Sequence, residues 1–211
     1  MDEASSDELL RKLIDAIVAG DMERFSELLR TSPGLAGASF MQGATRQSNN
    51  VVFIEAVGHY IYSGDTALHF AAAAYRPEMV DALVEAGANV RARNRRGGEP
   101  LHAAAVGAPG SARWNPEAQA ATIVRLIEAG ADPNAQNLDG ATPLHRAVRT
   151  RCSAAVRALL EHGAGARIRN KSGSTAIQLA SQTTGRGGSG SPEAKAEQRE
   201  ILQLLNARTN S

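Results

Sequence analysis

The sequence predicts an all-α solenoid, short helices stacked in one repeating domain over residues 1–211. Three observations predict it. A short phrase recurs with a period of 33 residues, and a second phrase keeps the same register. Only 4% of residues are aromatic within a hydrophobic content of 43%, so the apolar side chains are mostly Ala, Leu, Val and Ile. That composition suits slender helices packed closely, whereas a barrel or sandwich draws on more aromatic and β-branched bulk.

The first phrase appears as Thr66-Ala67-Leu68-His69-Phe70-Ala71, Glu99-Pro100-Leu101-His102-Ala103-Ala104, Thr142-Pro143-Leu144-His145-Arg146-Ala147 and Thr175-Ala176-Ile177-Gln178-Leu179-Ala180. Successive copies are 33, 43 and 33 residues apart, so one copy carries ten extra residues. The second phrase is Glu85-Ala86-Gly87-Ala88-Asn89, Glu128-Ala129-Gly130-Ala131-Asp132 and Glu161-His162-Gly163-Ala164-Gly165, spaced 43 and 33. Thr at the start of the first phrase can cap a helix, and Pro is tolerated in its first turn. The Gly of the second falls just past a helix ending Leu83-Val84, Leu126-Ile127 or Leu159-Leu160, where a left-handed C-terminal cap is wanted.

With this period, the Thr-Pro-Leu-His-x-Ala opening and the Gly-Ala-Asp closing, the chain resembles the ankyrin repeat family over about residues 7 to 206. The resemblance implies antiparallel helix pairs stacked side by side, with short β-hairpin fingers between successive pairs. The units then fall as a cap helix pair at 7–30, an extended first hairpin at 35–63, repeats at about 64–93, 94–136 and 137–169, and a C-terminal cap repeat at 170–206. The opening pair lacks the phrase but shows Leu9-Leu10, Leu13-Ile14, Phe25 and Leu28-Leu29 with acids between them, as an end cap needs.

Three insertions break the period. About 22 extra residues separate Leu28-Leu29 from Leu83-Val84; Val51-Val52-Phe53-Ile54 and His59-Tyr60-Ile61-Tyr62 have strand composition, and Gln47-Ser48-Asn49-Asn50 reads as a turn. The aromatics of this enlarged hairpin either seal the end of the stack or form a partner-binding arm. The second insertion, Gly107 to Trp114, lies between the two helices of its unit, and the third, Thr184 to Gly190, lies at the same place two units later. Both end in a helix start, Asn115-Pro116-Glu117 and Ser191-Pro192-Glu193. Arg113, Trp114, Arg151 and Arg186 could together make an anion notch, although no Gly-Lys-Ser/Thr ending marks a nucleotide loop.

The net charge of +1 hides an uneven distribution: residues 1 to 63 carry −4, 64 to 173 carry +4 and 174 to 211 carry +1. A near-neutral total gives no bulk attraction to nucleic acid, and most aromatics that could stack on bases lie outside the basic stretch. The single Cys152 cannot close an intramolecular disulfide. Flanked by Arg149 and Arg151, it is a candidate reactive thiol of lowered pKa, but no histidine partner is placed for it. His69, His102 and His145 occur one per layer, about 10 Å apart, too far to share a metal ion; the resemblance assigns them a structural hydrogen-bonding role. His59 and His162 receive no role. The acidic N-terminus is unlike a signal peptide, and no apolar run reaches the roughly 18 residues of a membrane span.

The expected function is a non-enzymatic protein-interaction module in the cytoplasm, monomeric, without metal or cofactor and without nucleic-acid or membrane binding. Its partner would be a protein with an acidic surface. The positions that the resemblance leaves free of core duty are Arg93, Arg95, Arg96, Leu138, Asp139, Arg169 and Lys171 on the fingers, with Tyr75, Arg146 and Arg149 on the groove side. The alternative is a small anionic ligand at the inserted loops around Arg113, Trp114, Arg151 and Arg186.

Overall fold

A computed structural model describes residues 3–44, 53–111, 114–182 and 192–209. Its helices come in successive pairs: α1 (Glu3–Ala19) with α2 (Met22–Thr31), α3 (Ala67–Ala73) with α4 (Pro77–Glu85), α5 (Pro100–Ala104) with α6 (Pro116–Glu128), α7 (Pro143–Arg149) with α8 (Ser153–Glu161), and α9 (Ala176–Ala180) with α10 (Pro192–Thr209). The first helices form an inner row, α1–α3–α5–α7–α9, and α4, α6, α8 and α10 form an outer one. The helix α2 packs chiefly on α1 and on a 3-10 turn at Pro33–Ala36. The chain is an all-α repeat solenoid.

Small residues let the inner row close up. Ala67, Ala71, Ala72, Ala104 and Ala147 are buried where the inner helices meet, and Leu68, Leu101 and Leu144 of the repeated phrase fill the space between the rows. Each such leucine contributes about 1.5–3 kcal/mol through removal of apolar surface from water. The outer helices turn Met79, Val80 and Leu83, Ile123 and Leu126, and Val156 and Leu159 onto the same continuous core. The ends are tied by side chains from neighbouring units. The Arg76 guanidinium donates to the carbonyls of Ile17 (3.3 Å) and Val18 (3.1 Å) at the C-terminus of α1, where the helix dipole favours a cation. At the other end, Glu197 and Glu200 of α10 accept from the Ser153 amide (2.7 Å) and hydroxyl (3.0 Å) at the start of α8.

The fingers of the regular repeats differ from the expected hairpins. Each is a tight loop closed by two backbone bonds: Asn94 N–H to the Gly98 carbonyl, Asn137 N–H to that of Ala141 and Asn170 N–H to that of Ser174, with the Gly97, Gly140 and Gly173 N–H groups donating back to the carbonyls of Asn94, Asn137 and Asn170. The asparagine side chain replaces a ladder. Its Oδ1 accepts two further amides in each finger, those of Arg96 and Gly98, of Asp139 and Ala141, and of Ser172 and Ser174. Successive fingers are joined by single backbone bonds, Arg95 N–H to Ser63 O, Leu138 N–H to Arg96 O and Lys171 N–H to Asp139 O, and by side chains, as where the Gln136 amide donates to the Arg169 carbonyl.

Among the described residues strands occur only in the first finger. There β1 (Phe53–Ile54) pairs antiparallel with β2 (His59–Tyr60), Phe53 opposite Tyr60. Its base is a longer pairing in which Phe40 N–H donates to Asp65 O, Gly64 N–H to Phe40 O and Ala44 N–H to Ile61 O. The hairpin folds back onto the stack. Ile54 and Val57 pack against the core, and the His59 ring meets Phe70 of α3 edge-on at 5.4 Å. Of the hairpin's own aromatics, Phe53 is 40% exposed and its ring centre lies 4.6 Å from that of Tyr60. Val51, Val52 and the turn at Gln47–Asn50 lie outside the described residues.

The second insertion falls where the period places it, between α5 and α6. It ends α5 at Ala104, whose carbonyl then accepts from the buried Gln119 amide (2.8 Å); Gln119 Oε1 in turn accepts from the Trp114 indole N–H (2.8 Å). The third insertion lies outside the described residues.

Candidate functional site

The repeated phrase fixes what faces outward from each inner helix. Thr66, Glu99, Thr142 and Thr175 stand at its N-terminus, and three residues later come His69, His102, His145 and Gln178. The histidine Nδ1 accepts from the backbone N–H of Thr66 (3.1 Å), Glu99 (3.2 Å) or Thr142 (3.2 Å). That leaves the ring proton on Nε2, which donates to the carbonyl of Gly98 (3.2 Å), Ala141 (3.0 Å) or Ser174 (3.1 Å) in the next finger. Each histidine therefore ties a helix to the finger beyond it with both nitrogens engaged. Gln178 reproduces the first half of this arrangement, its Oε1 accepting from Thr175 N–H at 2.9 Å. Among the described residues no three His, Cys, Asp or Glu side chains gather as a metal set.

His59 has a structural role that sequence reasoning missed. With Tyr62 N–H (2.7 Å) and the Asn94 amide (2.8 Å), its Nε2 (3.3 Å) donates to Asp65, which is fully buried. Burial alone would raise the Asp65 carboxyl pKa, but the His59 hydrogen bond, the neighbouring histidine charges and Asn94 outweigh it and hold the group below its ordinary value. His162 likewise bonds the Ala158 carbonyl at the end of α8.

One and four residues beyond each histidine are the groove positions: Phe70 and Ala73, Ala103 and Val106, Arg146 and Arg149. The groove is divided. Over α3 the first hairpin covers Phe70, leaving a cavity of about 460 Å³ between the hairpin tip at Val57 and Gly58, Ala73, Tyr75, Val106 and Trp114. Beyond Val106 a second cavity of about 490 Å³ is bounded by Arg96, Asp139, Arg146, Arg149 and Lys171, with Asn137, Asn170 and Ser172 at the fingers. Asp139 is its one carboxylate and pairs with Arg96 at 3.5 Å. Arg146, half-buried at the base, lies close enough to other cations that burial and then Arg96 lower its pKa from the ordinary guanidinium value.

Five of the residues expected from sequence, Arg96, Asp139, Arg146, Arg149 and Lys171, thus share one cavity. Tyr75 lines the other, in a left-handed turn (φ +53°), and its hydroxyl donates to the Val106 carbonyl. Burial raises the phenol pKa. Arg95 and Leu138 are in the lining of neither cavity, and Leu138 is 60% exposed. Arg93 and Arg169 are not free of structural work. Arg93 pairs with the buried Glu99 at 3.0 Å, and Arg169 donates to the Gly173 carbonyl of its own finger at 2.6 Å. Tyr62 was not anticipated: the guanidinium carbons of Arg95 and Arg96 sit 5.6 and 5.9 Å from its ring centre.

The loop site is not assembled in the described residues. Arg151 is buried with 3% exposure in a second left-handed turn (φ +58°), Trp114 is folded back on Gln119, and Arg113 and Arg186 lie outside the described residues. Cys152 departs from the reactive-thiol expectation. It immediately precedes α8 with its side chain facing inward, and burial pushes the thiol up to about 12 despite the flanking arginines. A thiol-reactive chromogenic disulfide should therefore leave Cys152 untouched in the native protein at pH 8 and titrate one thiol in urea; rapid native labelling would contradict this burial.

Residues 63–95 match the family described as ankyrin repeat, and residues 126–180 match the family described as ankyrin repeats in many copies. No curated protein matches the chain. No described helix is long and apolar enough to cross a membrane.

Proposed function

This chain is an ankyrin repeat protein, and from that premise we propose that it is a non-enzymatic module that binds a protein partner along its fingers and inner-helix groove. Ankyrin repeats are in general protein-interaction modules. The observation that carries the reading to this surface is the cavity bounded by Arg96, Arg146, Arg149 and Lys171, where cations from two fingers and one inner helix face a common space. Like charges are brought together there at a cost, and a bound partner carrying the opposite charge would relieve it. The histidines and Cys152, the side chains from which a nucleophile and its base would be drawn, are engaged in the packing described above.

The test compares two charge reversals. Arg96→Glu, Arg149→Glu and Lys171→Glu together should abolish retention of partner proteins by the immobilised chain at low salt. Arg24→Glu with Arg30→Glu, on the exposed side of α2, should leave retention unchanged. Equal retention by both variants would refute the groove assignment.

A further inference from the structure

The two cavities of the groove are neighbours that differ in character, and they share Val106. One is lined mainly by apolar groups, with Arg76, which bonds the end of α1, also in its wall; the other is rich in cations. Resting on the reading of the groove as the binding surface, we infer that it takes an extended segment of a partner protein in which an acidic side chain lies close to a bulky apolar one. The acid enters among Arg146, Arg149 and Lys171, and the apolar side chain enters between Val57, Tyr75 and Val106.

The register of the repeat shows why the two halves differ. Phe70 and Arg146 each follow the phrase histidine by one residue, so they occupy the same position on α3 and α7. Phe70 has 0% exposure because the hairpin lies on it. The enlarged first hairpin thus converts the first half of the groove into a mainly apolar recess walled by its tip at Ala56, Val57 and Gly58. Gly107, Ala108 and Trp114 of the second insertion supply the opposite wall, with the Trp114 indole bonded to Gln119. Among the described residues no such cover lies on α7.

Charge decides what the other half takes. Arg96 is matched by Asp139, but among the described residues Arg146, Arg149 and Lys171 have no salt-bridge partner. Three unmatched cations around one cavity favour a carboxylate, and the planar guanidinium of half-buried Arg146 can hold one by two parallel hydrogen bonds. The finger groups beside it, Asn170 and Ser172, can complete the polar shell without adding negative charge. A free small anion would use only the cationic half and leave the apolar recess without a purpose. A peptide uses both, since side chains two apart on an extended strand lie about 7 Å from each other.

Selection of random twelve-residue peptides displayed on phage against the immobilised full chain tests the inference. Selected sequences should be enriched in Asp or Glu near Leu, Ile, Phe or Trp. For the best synthetic peptide, fluorescence anisotropy should show at least tenfold weaker binding to Arg146→Gln/Arg149→Gln. Replacing the peptide's acid by Gln should weaken wild-type binding equally, and should cost little more in the variant, as a double-mutant cycle requires. Lys171→Gln, an exposed change, gives the same cycle should the double variant fold poorly.

Peptides that lack an acid yet lose affinity in the groove variants would overturn the inference and leave the groove reading intact. Peptides indifferent to all the groove variants, or no binding peptide at all, would overturn both. Competition by millimolar inorganic phosphate as effective as that by the free peptide would also overturn it, by showing a small-anion site.

Discussion

Gly140→Ala should destabilise the protein by about 1–3 kcal/mol more than Gly173→Ala, the cost typical of overpacking a filled space. The two glycines occupy the same position of successive fingers with the same left-handed backbone, φ +69° and +76°. Each substitution therefore carries the same strain of placing a Cβ in that conformation, about 1–2 kcal/mol. They differ in what lies beyond. A Cβ at Gly140 would stand 2.8 Å from the Lys171 amide nitrogen and 3.2 Å from the Asn170 carbonyl carbon, whereas one at Gly173 meets nothing within 4 Å.

Gly64 and Gly97 repeat the close approach, each against the finger that follows it, at Asn94 and Leu138. The excess cost measures the finger-to-finger contact itself, the nearest-neighbour term on which a stack of repeats depends. Urea unfolding of the two variants gives it directly. Equal midpoints would mean that the fingers can move apart freely, and that the Leu138, Lys171 and Arg95 backbone bonds contribute little.

The stack was legible in the sequence because its period is written in residues with obligatory local jobs. A capping Thr or Glu, a His or Gln three residues later and a glycine after the outer helix recur where the geometry recurs. The position of the second insertion was legible for the same reason, since a break in the period marks the place. Where inserted chain folds is a different question. Nothing local to Phe53–Tyr62 says that His59 will stack on Phe70, since that contact depends on α3 presenting an aromatic ring at one groove position.

Charge was legible residue by residue, but partner choice was not. Arg93 and Arg96 look alike in the finger; one reaches back to Glu99, the other across to Asp139. The asparagines at 94, 137 and 170 had a readable signal, an Asn-x-x-Gly recurring in register, and it marks how the fingers close without strands. Cys152 misled because its neighbours in sequence are arginines, while its neighbours in space are core side chains.

The same histidine bonds that build the groove should make the fold sensitive to acid. Burial, followed by the nearby Arg146 charge, lowers the His102 pKa from 6.5 to about 4. Above pH 6.5 the ring is neutral whether folded or unfolded, and its contribution is fully present. Between 6.5 and about 4 the unfolded chain binds a proton that the folded chain refuses, so stability falls by about 1.4 kcal/mol per pH unit. By about pH 4 the loss from this residue is about 3 kcal/mol.

The structural cause is direct: a proton on Nδ1 would face the Glu99 N–H, donor against donor, at 3.2 Å. His69 and His145 are lowered too, mainly by burial, and act in the same direction. The buried Asp65, also lowered, weakens the fold only below its ordinary 3.8, outside this window. Gln178 shows that a non-titrating amide fits the position. His102→Gln should therefore lower stability at pH 7.5, where the bond to Ala141 is weakened, yet lose less of what remains on going to pH 5. Thermal or urea unfolding at pH 7.5, 6 and 5 distinguishes the cases. Parallel pH slopes for wild type and His102→Gln would show that this histidine is not a source of the acid sensitivity; a slope flatter by about one proton in the variant would show that it is.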